Sequence, residues 1–427
     1  MMQINKQQIK PSELELTIEI NQAEYQPYLE KASSRMSQSS KIEGFRPGKA
    51  PYDLVKQRFG EMAIYQEALD DIVSRFFYQS VVQEKLNTVG QPKIEIEKLA
   101  PGNPISFKAV VALMPSVKLK DYKSIKVAKK EVKVEEAEVG KVIDDLRKMR
   151  AKETLVDRAA KMGDRVEVDF EVSLDKVVIE GGQGKKYPLA IGEGSMIPGF
   201  EEHLIGLTKD EEKTFQLKFP DEYQNKMTAG KVCDFKVKML AIYDRELPEA
   251  NDDWAKTLGA DNVEDLKTKI RKNLADEQMF HEEQRLETEM LNKIVAQAVF
   301  SEIPEVLVES EAQRMVQEFS DSITQQGLDF NNYLANIKKA EKDLVEDFKP
   351  KALDRVKTSL VIKEIADQEK IEVTEADLKA ETEKILTQVA GNQEAIGNIT
   401  SEGYQHYLRT VLRNRQVIEM LKKECLK

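Results

Sequence analysis

Cysteine is almost missing from this chain. Only Cys233 and Cys425 occur in 427 residues, far apart and at no metal-binding spacing, so neither a thiolate cluster nor a disulfide framework is expected. That usage suits a reducing compartment. Histidine is nearly as scarce, and His203, His281 and His406 fall in three separate segments that offer no shared metal site. No metal and no cofactor are therefore expected. No apolar run approaches the ~20 residues of a membrane span, and the polar opening MMQINKQQIK lacks the apolar core of a secretory leader. The expectation is a cytoplasmic protein with no membrane contact. Neither GxxxxGK[ST] nor GxGxxG stands between a strand and a helix, which removes a glycine-rich phosphate loop. Basic excess is missing too: the net charge of −11 argues against a general nucleic-acid binder, so any contact with RNA should be local.

What the chain does have is length and charge. One-third of its residues are charged and only 7% are aromatic, the composition of a helix-rich chain that splits into two to four domains. Leu14, Leu16, Ile18 and Ile20 alternate with polar residues as a half-buried strand does. Asn21-x-x-Glu24 reads as a capping box that opens a helix. Two more helices follow, one with Leu54, Val55 and Phe59, the other with Ile64 to Phe77, separated by Gly60. Strands around Ile94 and Ile96 and from Ile105 to Leu113 complete an α+β unit of residues 1–112, with 14 basic and 14 acidic side chains.

Inside that unit lies KIEGFRPGKAP, residues 41–51. Two glycines and two prolines in eleven residues exclude a helix or a paired strand. The segment must be a loop, and it carries Phe45, Arg46 and Lys49. From Lys31 to Arg58 seven basic residues face only Glu43 and Asp53, a local charge of +5. A ring and cations on an exposed tip are what a docking element needs, although a solvated turn between helices would read the same way.

Residues 113–150 change character. Lys118 to Lys133 is lysine-rich and extended, then Val139, Val142, Ile143, Leu146 and Met149 share one helical face. This reads as an interdomain arm. From Gly163 to Glu246 short strands alternate with glycine-rich turns: Val166 to Phe170, Phe215 to Phe219, Val232 to Met239, with one short helix near Pro198 to Leu204. A small curved sheet is expected over 151–246.

Beyond Leu247 the chain is acidic and helical. One long helix should run from Val263 to Phe300, ending at Ile303-Pro304; a second should end at Gly327. Pro350 is expected to separate Phe348 from the next helix, Thr374-x-x-Asp377 to cap another, and Leu408 to Leu421 to lie in the last. Asp252-Asp253 reads as a helix cap and Trp254 as the anchor of this region, 247–427. No heptad persists for more than about two repeats, so a helical domain with arms is expected rather than a coiled coil.

Two phrases carry a resemblance. Gly44-Phe45-Arg46-x-Gly48-x-x-Pro51 resembles the signature of the trigger factor family, bacterial ribosome-associated chaperones. Leu189 to Glu201 (LAIGEGSMIPGFE), with Val168-Asp169-Phe170, Ile179-Glu180-Gly181-Gly182 and Phe219-Pro220-x-x-Tyr223, is similar to the FKBP-type peptidyl-prolyl isomerases. Both occur in the order that trigger factor uses, and the likeness in layout covers essentially the whole chain. It implies a multidomain α+β protein: an N-terminal α+β ribosome-binding domain, an FKBP-like small β-sheet domain and a C-terminal all-α domain. Gly44, Phe45, Arg46, Pro47, Gly48 and Lys49 would touch protein and RNA of the large ribosomal subunit beside the exit tunnel. Where many relatives place a basic residue after the arginine, this chain has Pro47. The isomerase pocket would be lined by Phe170, Ile179, Tyr187, Leu189, Met196, Ile197, Phe200, Tyr223 and Phe235. Ile179 replaces a common aromatic and Val172-Ser173 a common Thr-Gly. The implied partners are the ribosome and nascent polypeptides, without nucleotide, and a homodimer of the free chain stays open. A stand-alone isomerase with client-recruiting helical domains, or a scaffold whose pocket only binds peptide, would share the pocket without needing the loop.

Overall fold

The fold was obtained as a computed structural model, which describes residues 2–40, 42, 44–223, 225, 228–389 and 391–425. Lys41 and Glu43 of the basic segment lie outside them, as does the side chain of Glu180. The chain divides into two compact units, residues 1–129 with 283–427, and residues 130–282.

The first unit opens with strands β1 (Gln3–Lys10) and β2 (Glu13–Ile20), then helices α1 (Gln22–Ser39), α2 (Tyr52–Phe59) and α3 (Glu61–Gln83). Strands β3 (Thr88–Lys98) and β4 (Ile105–Leu113) complete an antiparallel sheet of order β1-β2-β4-β3. The alternation of β2 buries Leu14, Leu16, Ile18 and Ile20, which meet Ile105, Phe107, Ala109 and Val111 of β4 over α1 and α3. Glu24 closes the expected capping box by accepting from the Asn21 amide at 3.3 Å. β1 was not expected. It is an edge strand of mostly exposed, polar residues without apolar alternation, and apart from Ile4, which is partly buried against the core, it is held chiefly by its backbone pairing with β2. The arm then begins in the same unit, with the two-residue strand β5 (Val117–Lys118).

The second unit holds α4 (Glu136–Met149), then β6 (Lys152–Val156), β7 (Arg165–Leu174), β8 (Val177–Ala190), β9 (Glu212–Lys218) and β10 (Val232–Glu246). The sheet order is β6-β10-β7-β8, with β9 also paired to β10. The short helix expected near Pro198 to Leu204 is a single 3-10 turn, Glu201–Leu204. Helix α5 (Asp252–Thr257) and the start of α6 (Val263–Gln297) pack Trp254, Leu266 and Ile270 on Val139 and Ile143 of α4. Trp254 thus anchors the arm helix. The cap reading of Asp252-Asp253 is corrected: Asn251 caps α5, accepting from the Trp254 amide at 3.0 Å. Asp252 reaches forward instead, and accepts from Val263 at the start of α6 at 3.0 Å.

The remainder of the first unit is helical: β11 (Val299–Phe300), α7 (Glu305–Gln325), α8 (Phe330–Ile337), α9 (Glu341–Gln368), α10 (Glu375–Gln388), α11 (Gln393–Thr400) and α12 (Glu402–Cys425). Residues 299–300 do not extend α6 but pair antiparallel with β5. Pro350 lies inside α9 rather than before it. A proline there costs ~3 kcal/mol of helix propensity, yet Leu344, Ala352, Val356 and Leu360 are buried on both sides of it, and that packing keeps the helix continuous.

The core of this body includes the arm. Val117, Tyr122, Ile125 and Val127 are buried with Met290, Ile365 and Leu421. Glu369, just past α9, accepts from the Tyr122 hydroxyl at 2.6 Å and pairs with Lys123 at 2.8 Å. Lys123 first, then Tyr122, holds the Glu369 carboxyl below its ordinary value of 4.5. A carboxylate depressed by folding contributes stability that is complete above its unfolded pKa and lost as pH falls through the folded one. Glu369→Gln should therefore lower the unfolding midpoint at pH 7, and thermal scans of the two proteins should converge as the pH drops below 4.5.

Candidate functional site

The loop of the first unit is a built turn. Lys49 donates its amide to the Arg46 carbonyl at 3.0 Å across Pro47 and Gly48, and Gly48 has φ of +76°. Proline second and a left-handed glycine third define a type II turn, which no β-carbon-bearing residue enters without strain at the glycine. Ser34 of α1 locks it from within, its hydroxyl donating to the Gly48 carbonyl at 3.0 Å. Gly44 supplies a second positive φ, +82°. Between these two fixed points Phe45 stands 42% exposed, and Arg46, Pro47 and Lys49 are exposed with it. Among the described residues neither Arg46 nor Lys49 has an ion-pair partner.

The wider basic patch is smaller than the sequence suggests. Arg35 is taken up by Asp71 at 2.6 Å and Glu67 at 3.1 Å, and Lys56 by Glu61 at 2.8 Å. These acids lie on α3, beyond the 31–58 window. Arg46 and Lys49 at the tip keep their charge free among the described residues, while Arg35 and Lys56 are paired.

In the second unit a cleft of 510 Å³ opens on one side of the sheet. Phe170 of β7, Ile179 and Tyr187 of β8, Met196 and Ile197 of the following loop, Tyr223 and Phe235 of β10 line it together. Leu189 and Phe200 do not. Leu189 is core, and Phe200 is fully buried behind the cleft, edge-on to Phe170, Phe215 and Phe235 at 5.6–6.1 Å between centroids. Phe200 thus sets the angle of the floor without touching its contents. Val172, Ser195, Pro198, Phe219, Asn225 and Thr228 also line the cleft. Of these, Phe219, Ser195 and Pro198 stood in the quoted phrases and Val172 in the departure from Thr-Gly, whereas Asn225 and Thr228 had no signal. Tyr223 packs edge-on against Phe219 at 4.8 Å and remains 41% exposed, so its ring stands at the rim.

One residue holds the cleft loop that sequence reading left without a role. Glu201 is buried, and its carboxylate accepts the amides of Gly192, Gly194, Ser195 and Met196 at 2.7, 3.1, 2.7 and 3.3 Å. Four donors converging on one carboxylate fix the backbone that presents Met196 and Ile197. Close glycines matter on the opposite wall, where a β-carbon at Gly184 would lie 2.3 Å from the Phe170 ring. Cys233 is core beside Phe235, and burial pushes its thiol up, away from the nucleophilic form. His203 stacks on Phe215 at 4.2 Å. Among the described residues no group of three or more His, Cys, Asp or Glu could hold a metal ion, and no helix is long and apolar enough to cross a membrane.

The curved sheet, its single 3-10 turn and the aromatic cleft are those of an FKBP-type domain, and the family model for FKBP-type peptidyl-prolyl cis-trans isomerase matches residues 156–242. On either side, the model for bacterial trigger factor protein matches 2–146 and that for its C-terminus 262–423. The chain belongs to the trigger factor family, chaperones that carry an FKBP-type domain. It is 35% identical to the trigger factor of Staphylococcus epidermidis over 413 residues, covering 95% of this chain and 94% of that protein. With the trigger factor of Bacillus mycoides it shares 36% over 391 residues, 90% and 92% of the two chains. A solved structure of the trigger factor chaperone aligns over 99% of both chains at 22% identity and a TM-score of 0.45, which adds no weight.

Proposed function

We propose that this chain is a ribosome-associated, ATP-independent chaperone of the cytoplasm that also isomerises X–Pro bonds. Residues 1–112 dock beside the exit tunnel through Gly44, Phe45, Arg46, Pro47, Gly48 and Lys49. Residues 113–150 form the arm, 151–246 the isomerase, and 247–427 the helical body that shields nascent polypeptides. The observation that carries the reading is the locked turn. It holds an aromatic ring in water beside two cations that have no ion-pair partner among the described residues, the ring-and-cation pairing that anchors a docking contact.

The cleft suits the second activity. Rotation about an X–Pro bond crosses ~18–20 kcal/mol because the planar amide loses its resonance, and uncatalysed it takes tens to hundreds of seconds. A twisted amide has less charge separation than a planar one. An apolar pocket of Phe170, Ile179, Met196, Ile197 and Phe235 therefore favours the twisted form over the ground state. The Tyr223 hydroxyl at the rim is placed to orient the substrate backbone. No nucleophile is required.

Co-sedimentation of the wild-type chain with bacterial ribosomes across a salt series tests the docking reading. If Arg46 and Lys49 meet about two phosphates, the log–log slope of affinity against salt should be about −2. A slope near zero would mean a protein-only contact, and no binding at any salt would sink the reading.

A further inference from the structure

We propose that the isomerase cleft continues around the 192–198 loop into a second peptide-binding trough, which takes apolar side chains of the same client polypeptide that flank its X–Pro bond; this rests on the isomerase reading above. The 510 Å³ cleft and a neighbouring recess of 410 Å³ share Met196, Ile197 and Pro198. That recess shares Met162, Ile191 and Gly192 with a third one of 230 Å³, which ends at Leu247. The three recesses therefore adjoin one another around the loop, separated only by side chains they share, and an extended chain leaving the cleft on this side can follow them.

The lip of the trough is built. Arg158 grips the buried Asp164 with two bonds of 2.6 and 2.9 Å, and the amide of Gly163 donates to the Ile191 carbonyl at 2.9 Å. These bonds hold the turn that carries Met162, which stands 59% exposed. Its thioether lies across Gly192, where a β-carbon would come within 2.3 Å of the sulfur, so glycine alone permits the contact. Gly194, where a β-carbon would meet nothing within 4 Å, leaves the backbone open to the close approach of another chain.

The chemistry of the occupant follows from the lining. An unbranched thioether adapts to side chains of different shape, as a binder of many unfolded chains requires. At the far end Arg245 is already taken by Glu193 at 2.7 Å and by the Lys148 carbonyl at 3.1 Å, while Leu247 remains 39% exposed. With Arg245 and Glu193 spent on each other and Glu201 on its amides, the exposed apolar surface of Met162 and Leu247, beside the charged Glu202 and Lys148, takes apolar residues.

The test compares a short proline peptide, confined to the cleft, with one extended by about eight residues on each side, roughly 26 Å per side when extended. Both are measured with full-length wild type and with Met162→Glu/Leu247→Glu. Turnover of the short peptide should stay within about twofold, while affinity for the long, apolar-flanked peptide should fall at least about fivefold, as loss of a partly buried apolar contact implies. Unchanged affinity for the long peptide would overturn the trough, as would equal loss for both peptides. A change in self-association without a change in peptide affinity would assign the surface to a second copy instead. If wild type turns over neither peptide, the isomerase reading has failed, and length-dependent binding, read by fluorescence anisotropy, still decides the trough.

Discussion

Phe45→Ala combined with Arg46→Ala should abolish co-sedimentation with ribosomes and leave turnover of a proline peptide unchanged. Aromatic and arginine anchors at interface centres are each worth about 2 kcal/mol or more. Losing two removes on the order of 4 kcal/mol, close to a thousandfold in affinity. The turn itself should survive, because its lock is the Lys49 amide, Gly48 and Ser34, and neither replaced side chain takes part. Circular dichroism and the unfolding midpoint should match wild type. Ribosome binding that persists in the double variant would reduce the loop to an ordinary turn and favour the stand-alone isomerase. Loss of both activities would mean misfolding, and Gly48-preserving single variants would then separate the effects.

Glu201→Ala should cost the isomerase about tenfold to a hundredfold in kcat/KM, the range expected when a catalytic wall shifts by about 1 Å. The carboxylate gathers four amides, and three of the residues concerned, Gly192, Gly194 and Ser195, are otherwise exposed to water. Water can satisfy those amides once the carboxylate is gone, so the domain should remain folded while Met196 and Ile197 lose their fixed place. Glu201→Gln retains one acceptor oxygen and should lie between the two. Ribosome binding should not change. An Ala variant with wild-type kcat/KM would show that the loop is ordered by other contacts.

Much of the first unit was legible because its strands follow period two. Leu14 to Ile20 and Ile105 to Leu113 emerge with the expected limits. β1 was illegible for the converse reason, since it is an edge strand with a single partly buried apolar residue, Ile4, and no alternation. Helices α8 and α11, eight residues each, were not anticipated. Pro350 misled because tertiary packing overrides a local rule. In the cleft, the resemblance located Phe170, Ile179, Tyr187, Met196, Ile197, Tyr223 and Phe235, but matching positions do not separate a wall from what stands behind it. Phe200 and Leu189 occupy matching positions and face the core. Glu201 was quoted at the end of its phrase without a role, because four backbone amides leave no trace in side-chain identity. Arg35 was counted as a free cation for a related reason: its partners Glu67 and Asp71 come from a later helix.

The arm has a consequence for how the chain is made. Val127 donates to the Cys425 carbonyl at 3.0 Å, and Tyr122 and Cys425 meet across a sequence separation of 303 residues. The helical core thus closes only when the arm's residues 122–127 meet its last helix, whereas β1 to β4 with α1 to α3, and the sheet of β6 to β10, are contiguous in sequence. Long-range closure of this kind is slow and leaves apolar surface open while it waits. During its own synthesis this chaperone would be, for most of its length, an unfinished client: Tyr122, Ile125 and Val127 emerge early and stay uncovered until α12 arrives.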